Sequence, residues 1–222
     1  MTKAIESGHC KRGKRPLPPE YVIGHRELVL YILTLAISLL SAGTLFVTSG
    51  YAIERDYFTA DEDPAAWNDL TLNNQHHTNN VLKWLREGNI PMALHDVQFT
   101  IDKWPNHPRA LILMEVISGV THTPNLPIPF YEKAIRLYPQ YAITHAQYGK
   151  YLVEISRVDA GIAKLQEAVT IDPKLTAAHV WLTEAYRKKG KKELARKEAE
   201  TARVLGYEGE LPFDKASDHA GH

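Results

Sequence analysis

From Glu132 the chain reads EKAIRLYP, and from Gln166, thirty-four residues later, it reads QEAVTIDP. Each phrase sets a small alanine among alternating apolar positions and closes on proline. A frame of thirty-four residues started at Asn74, Pro108, Ala142 and Thr176 extends the match with no insertion. Position fifteen is then Gly88, His122, Ser156 and Gly190, and position twenty is Ala93, Pro127, Gly161 and Ala195. Position twenty-seven is Thr100, Ala134, Ala168 and Ala202, and position thirty-two is Pro105, Pro139, Pro173 and Tyr207. Recurrence at this period marks a stacked helical hairpin.

The chemistry of those positions agrees. Position twenty must be small because the two helices of a hairpin cross there. Position twenty-seven must be small where the second helix meets the next unit. Glycine at fifteen permits the turn between helices, and proline at thirty-two starts a helix because it cannot continue one. Met114, Tyr131, Tyr148, Leu165, Leu182 and Tyr186 fill the spaces between. A single hairpin cannot bury its own apolar face, so neighbours must stack into a superhelix. The predicted fold is all-α, an α-solenoid of about four hairpins over 74–107, 108–141, 142–175 and 176–209. Within HTPNLPIPF, Pro124, Pro127 and Pro129 lengthen the connection in the second unit and place its second helix near Pro129.

This pattern resembles the tetratricopeptide repeat (TPR) family over roughly Asn74 to Glu208. The match is strongest in YGKYLVEISRVDAGIAKLQEAVTIDP and LTEAYRKKGKKELARKEAETARVLGY. DVQFTIDKWPNHPRAL is similar to a phrase of small proteobacterial repeat proteins of this type.

Ahead of the repeats, Leu28–Ile53 is an uncharged run of 26 residues. About 20 apolar residues suffice to cross a bilayer core. The run exceeds a signal-peptide core, which spans roughly 7–15 residues, so a retained single-pass anchor is expected. Lys11, Arg12, Lys14, Arg15 and Arg26 precede it, and Arg55 alone follows within fifteen residues. That bias keeps 1–27 in the cytoplasm and puts the repeats across the membrane, in a bacterium the inner-membrane face of the periplasm. Ser38, Ser41, Ala42, Gly43 and Thr44 supply a small-residue face for packing against another membrane helix. Residues 54–73 read as an acidic spacer with a short helix around Pro64 to Leu70, and 210–222 as a polar tail.

Lys and Arg number 26 and Asp and Glu 26, so no overall basic field points to nucleic acid. KKGKKELARK interleaves with Glu193, Glu198 and Glu200 and reads as a solvated face. No nucleophile elbow, phosphate loop or zinc-protease signature is present, so neither an enzyme nor a small-molecule substrate is expected. No cofactor is implied. Cys10 is the single cysteine, which excludes an internal disulfide and a cysteine-based zinc site.

The resemblance implies a protein-binding face built from the first helix of each hairpin. Positions two, five, nine and twelve contribute Arg109, Ile112 and Val116, then Ile143, Ala146, Lys150 and Val153, then Ala177, Val180 and Glu184. This stripe is expected to be solvent-facing and apolar, suited to a helix or extended segment of a partner. It lacks the lysine–asparagine arrangement with which chaperone-binding members clamp a C-terminal carboxylate. An anchor followed by a small repeat domain is similar in layout to accessory and assembly subunits of membrane complexes. A second class of function uses the histidines. His77, His145 and His179 recur at position four and are candidate metal or cofactor ligands, against packing with one ring nitrogen hydrogen-bonded.

Overall fold

The structure, a computed structural model, describes residues 54–211, and the apolar run 28–53 with its small-residue face lies outside them. Among the described residues no helix is long and apolar enough to cross a membrane, and there is no strand. Helix α1 (Pro64–Asn73) runs through a π-helical turn, Asn74–Thr78, toward α2 (Val81–Arg86), which pairs with α3 (Ile90–Lys103). The next hairpins are α4 (Pro108–Thr121) with α5 (Ile128–Leu137), and α6 (Ala142–Glu154) with α7 (Val158–Ile171). The fourth is α8 (Thr176–Lys188) with α9 (Lys192–Val204). Three prolines delay α5, as expected, to Ile128.

Every hairpin turns by one device. Gly88, His122, Ser156 and Gly190 all hold positive φ, at 71, 54, 67 and 74°. The next amide donates back to the carbonyl five residues earlier: Asn89 to Trp84, Thr123 to Ser118, Arg157 to Leu152 and Lys191 to Tyr186, at 2.8–3.0 Å. A left-handed residue at the helix end thus satisfies a carbonyl that the helix leaves open. His122 and Ser156 hold a conformation that glycine adopts at no steric cost.

The small positions sit where helices touch. Ala93, Thr100, Ala134, Ala168, Ala195 and Ala202 are fully buried. In the third unit the approach is closest. A Cβ on Gly161 would lie 2.5 Å from Val153 Cγ2 and 2.6 Å from the Gly149 carbonyl oxygen. A Cβ on Gly149 would lie 2.7 Å from Leu165 Cγ and 2.9 Å from the Gly161 oxygen. Because the obstacles include backbone, Gly161→Ala is expected to cost about 1–3 kcal/mol. That exceeds the gain of about 1 kcal/mol from helix propensity. Gly119→Ala is the control, since a Cβ there meets nothing within 4 Å. Urea unfolding that ranks Gly161→Ala at or above Gly119→Ala would show that the helices do not cross there.

Residues 54–73 contain the short helix expected from Pro64 and pack against the repeats. Tyr57–Glu62 forms a 3-10 helix, α1 follows, and Ala60, Ala66 and Leu70 close over Trp104, which has no exposed surface. The Arg55 amide donates to the Lys103 carbonyl at 2.8 Å, and the Tyr57 amide to Asn106 Oδ1 at 2.9 Å. Asn106 Nδ2 donates to Asp56 Oδ1 at 2.7 Å, and the Tyr141 hydroxyl to Asp56 Oδ2 at 2.6 Å. Lys133 pairs with Glu54 at 2.8 Å. The segment is therefore a strap across the chain's passages between units, and its acidity serves these contacts. Trp104 requires it, because so large an apolar ring is costly to leave in water. Of the expected polar tail, 210–222, only Glu210 and Leu211 lie among the described residues. Leu211 is buried against Ala199, Ala202, Val180 and Tyr207, where a further unit would otherwise stack.

Candidate functional site

The first helices present two kinds of surface. Toward the N-terminal end, Leu82, Leu85 and Arg86 of α2 and Val116 and Val120 of α4 line an open depression of about 580 Å³. Ile112 is exposed one turn before Val116. Toward the C-terminal end the same face carries ion pairs. Lys150 meets Glu154 at 2.6 Å, and Arg187 grips Glu184 with two bonds of 2.7 and 2.8 Å. The hydrogen bond from Arg187, opposed by burial, holds Glu184 below the usual carboxylate range.

The expected stripe is therefore only partly a surface. Ile112 is 43% and Val116 39% exposed, whereas Ala146 is 0% and Val153 5%. Val153 is core because Gly161 opposite has no side chain and the valine methyl enters that space. Ala146 is enclosed with Ala178 and Leu182. Ile143, Lys150, Ala177, Val180 and Glu184 are half-buried, and Val180 packs under Leu211. Arg109 is exposed and donates to Asn79 Oδ1 of the first unit at 2.7 Å. Leu82, Leu85 and Val120 complete the apolar patch. Leu82 could have been found by extending position nine back into the first unit.

Between the two surfaces lies Glu115, whose side chain is 11% exposed. The Tyr131 hydroxyl donates to its Oε1 at 2.5 Å, and Lys150 Nζ stands 4.0 Å from its Oε2. Burial raises the acid to about 7 against the opposing pull of Tyr131 and Lys150. The Tyr131 ring stacks on Tyr148 with centroids 5.2 Å apart, and burial first, then Glu115, pushes its hydroxyl well above its ordinary range.

The position-four histidines hold hairpins together. His145 Nδ1 meets Glu167 Oε2 at 3.0 Å and its Nε2 meets the Pro139 carbonyl at 3.0 Å. His179 repeats this, with Glu198 Oε2 at 2.7 Å and the Pro173 carbonyl at 3.0 Å. His77 Nδ1 meets Asp96 Oδ1 at 2.9 Å, and Trp84 Nε1 donates to Asp96 Oδ2 at 2.8 Å. Each ring thus binds a carboxylate on its own second helix, and two also bind the preceding unit. With both ring nitrogens of His145 and His179 set against oxygen acceptors of the protein, each ring is tied into the stack on two sides. Among the described residues no group of three or more His, Cys, Asp or Glu could hold a metal ion. His107 has a different task. Its Nδ1 accepts the Ala110 amide at 3.3 Å to cap α4, and Nε2 donates to Asn74 Oδ1 at 2.8 Å. Burial lowers it to about 4, so the ring is neutral and can accept.

Hairpins of thirty-four residues, closed by a left-handed residue at fifteen and packed through small residues at twenty and twenty-seven, make up this stack. The fold is of the TPR type. No protein-family model matches the chain, and no curated protein does. Among solved structures it is similar to PilF of Pseudomonas aeruginosa, at 21% identity and a TM-score of 0.49 over 62% of this chain and 63% of that one. It is similar to MamA of Desulfovibrio magneticus RS-1 at 19% identity and a TM-score of 0.46, over 58% of this chain and 72% of that one. A further MamA crystal structure gives 17% identity and a TM-score of 0.45, over 64% and 85%. None of these likenesses says what this TPR stack binds.

Proposed function

We propose that the protein is a membrane-anchored scaffold that holds another protein on the first-helix face of its TPR units, as an accessory or assembly subunit of an inner-membrane complex. The observation that carries this reading is the depression of Leu82, Leu85, Val116 and Val120. Four apolar side chains lie together there beside Arg86, whereas the C-terminal end of the face carries ion pairs, and contiguous apolar surface of that kind marks an interaction site. Leu82 and Val116 are exposed, so Leu82→Asp with Val116→Asp should leave the helical signal and the unfolding midpoint within about 0.5 kcal/mol of the parent. The same pair should abolish co-purification of the partner from native membranes in mild detergent, because a charge buried without a counter-ion is costly at an interface. Normal folding with the partner retained would defeat the proposal.

The anchor rests on the uncharged run Leu28–Ile53, and the orientation on the Lys and Arg that precede it. A reporter enzyme that works only outside the cytoplasm, fused after His222, is expected to be active. Activity confined to a cytoplasmic reporter would place the TPR units, and their partner, on the other side.

A further inference from the structure

A second cleft, of about 400 Å³, opens between the second helices of the second and third units, with α6 as its floor. Ile135 of α5 and Tyr148 and Leu152 of α6 give it an apolar base. Its existence traces to two residues. Positions nineteen and twenty-two of the third unit are Ala160 and Ala163, where the other units carry Met92 and His95, Leu126 and Pro129, and Leu194 and Lys197. In the second unit Leu126 packs onto the core, whereas Ala160 and Ala163 of α7 present only methyl groups to the space beside α5.

The rim is basic. Arg136, Arg157 and Lys164 stand around the opening against Glu132, which accepts the Tyr148 hydroxyl at 3.3 Å. Arg157 donates to Asn125 Oδ1 at 2.8 Å, and Lys164 is held by both oxygens of Glu167 at 2.9 and 2.8 Å. Arg136 is exposed and has no hydrogen-bond or ion-pair partner among the described residues. An apolar base with an uncommitted guanidinium on its rim complements an apolar anchor flanked by carboxylates.

We infer that this cleft is a second docking surface, for an acidic amphipathic helix of a partner protein. It shares no residue with the depression on the first helices, so failure at one site does not imply failure at the other. The probe is a fluorescein-labelled stapled helix carrying two leucines one turn apart between glutamates, titrated against the full chain at low salt. Fluorescence anisotropy should report binding that weakens about tenfold for Arg136→Glu and as much for a lysine-for-glutamate version of the peptide. Ala160→Leu with Ala163→Lys, the residue types of the fourth unit, should fill the cleft and abolish binding without changing the helical signal. Leu82→Asp with Val116→Asp should leave binding unchanged. Equal affinity for the two peptides, or binding that survives the filled cleft, overturns the inference. Should the filled variant fail to fold, Arg136→Glu decides, and unchanged affinity for the acidic peptide there is equally fatal.

Discussion

Trp104→Ala is expected to lower the free energy of unfolding by about 3–5 kcal/mol, the range for removing a buried large aromatic side chain. Trp104 has no exposed surface and is the center about which Tyr57, Ala60, Ala66 and Leu70 gather. The Arg55 guanidinium lies 5.8 Å from its ring centroid. Removing the indole leaves the strap with polar contacts that are partly open to water, and such contacts contribute little by themselves. The variant should therefore also be cut by trypsin after Arg55 while the parent resists. Trp104→Phe separates packing from the indole nitrogen, which is buried with no hydrogen-bond partner. It keeps one ring and removes the orphaned N–H, so it should cost much less than alanine. A Trp104→Ala protein with the parent's urea midpoint and the parent's resistance to trypsin would show that the strap is only laid against the repeats.

Glu115→Gln is expected to remove a pH dependence. The folded acid is raised to about 7 from 4.5, so between those values the folded chain keeps a proton that the unfolded chain releases. Stability from this group is then highest below pH 4.5, falls as pH rises, and levels off above pH 7. The total fall is about 3 kcal/mol. Glutamine cannot ionise, and its amide oxygen can still accept the Tyr131 hydroxyl. The difference in unfolding free energy, variant minus parent, should therefore climb between pH 5 and 7.5 by up to about 3 kcal/mol. Taking the difference cancels the titration of residues common to both proteins. A flat difference would mean that Glu115 is ionised in the fold and that Lys150 compensates for its burial.

The hairpins were legible because their spacing is set by backbone approach, and backbone approach constrains side-chain size at fixed positions. Gly161 and Ala168 announce such contacts in the sequence, whereas Gly149, the other half of the closest one, did not stand out because its position carries Val81, Glu115 and Thr183 in the other units. The docking of the strap was illegible for a different reason. The helix from Pro64 could be read, but Tyr57 with Ala60 and Ala66 with Leu70 are pairs too short to announce a buried face, and what they cover is Trp104 on a distant turn. The patch was half legible. Position five is open in the second unit, at Ile112, and closed in the third, at Ala146, because exposure depends on what the adjacent hairpin brings. The histidine pairs with Glu167 and Glu198 join first helix to second across roughly twenty residues, a distance at which no spacing rule pairs them.

In a plain solenoid each unit touches only its neighbours, and either end can fray inward one hairpin at a time. Asp56 breaks that symmetry by binding Tyr141, 85 positions along the chain, at the boundary between the second and third units. Lys133, on α5, holds Glu54 in the same way. Loosening the first hairpin thus means releasing a tie that reaches the middle of the array. The first two units are thereby joined to the strap as well as to each other, a coupling that stacking between neighbours alone does not supply.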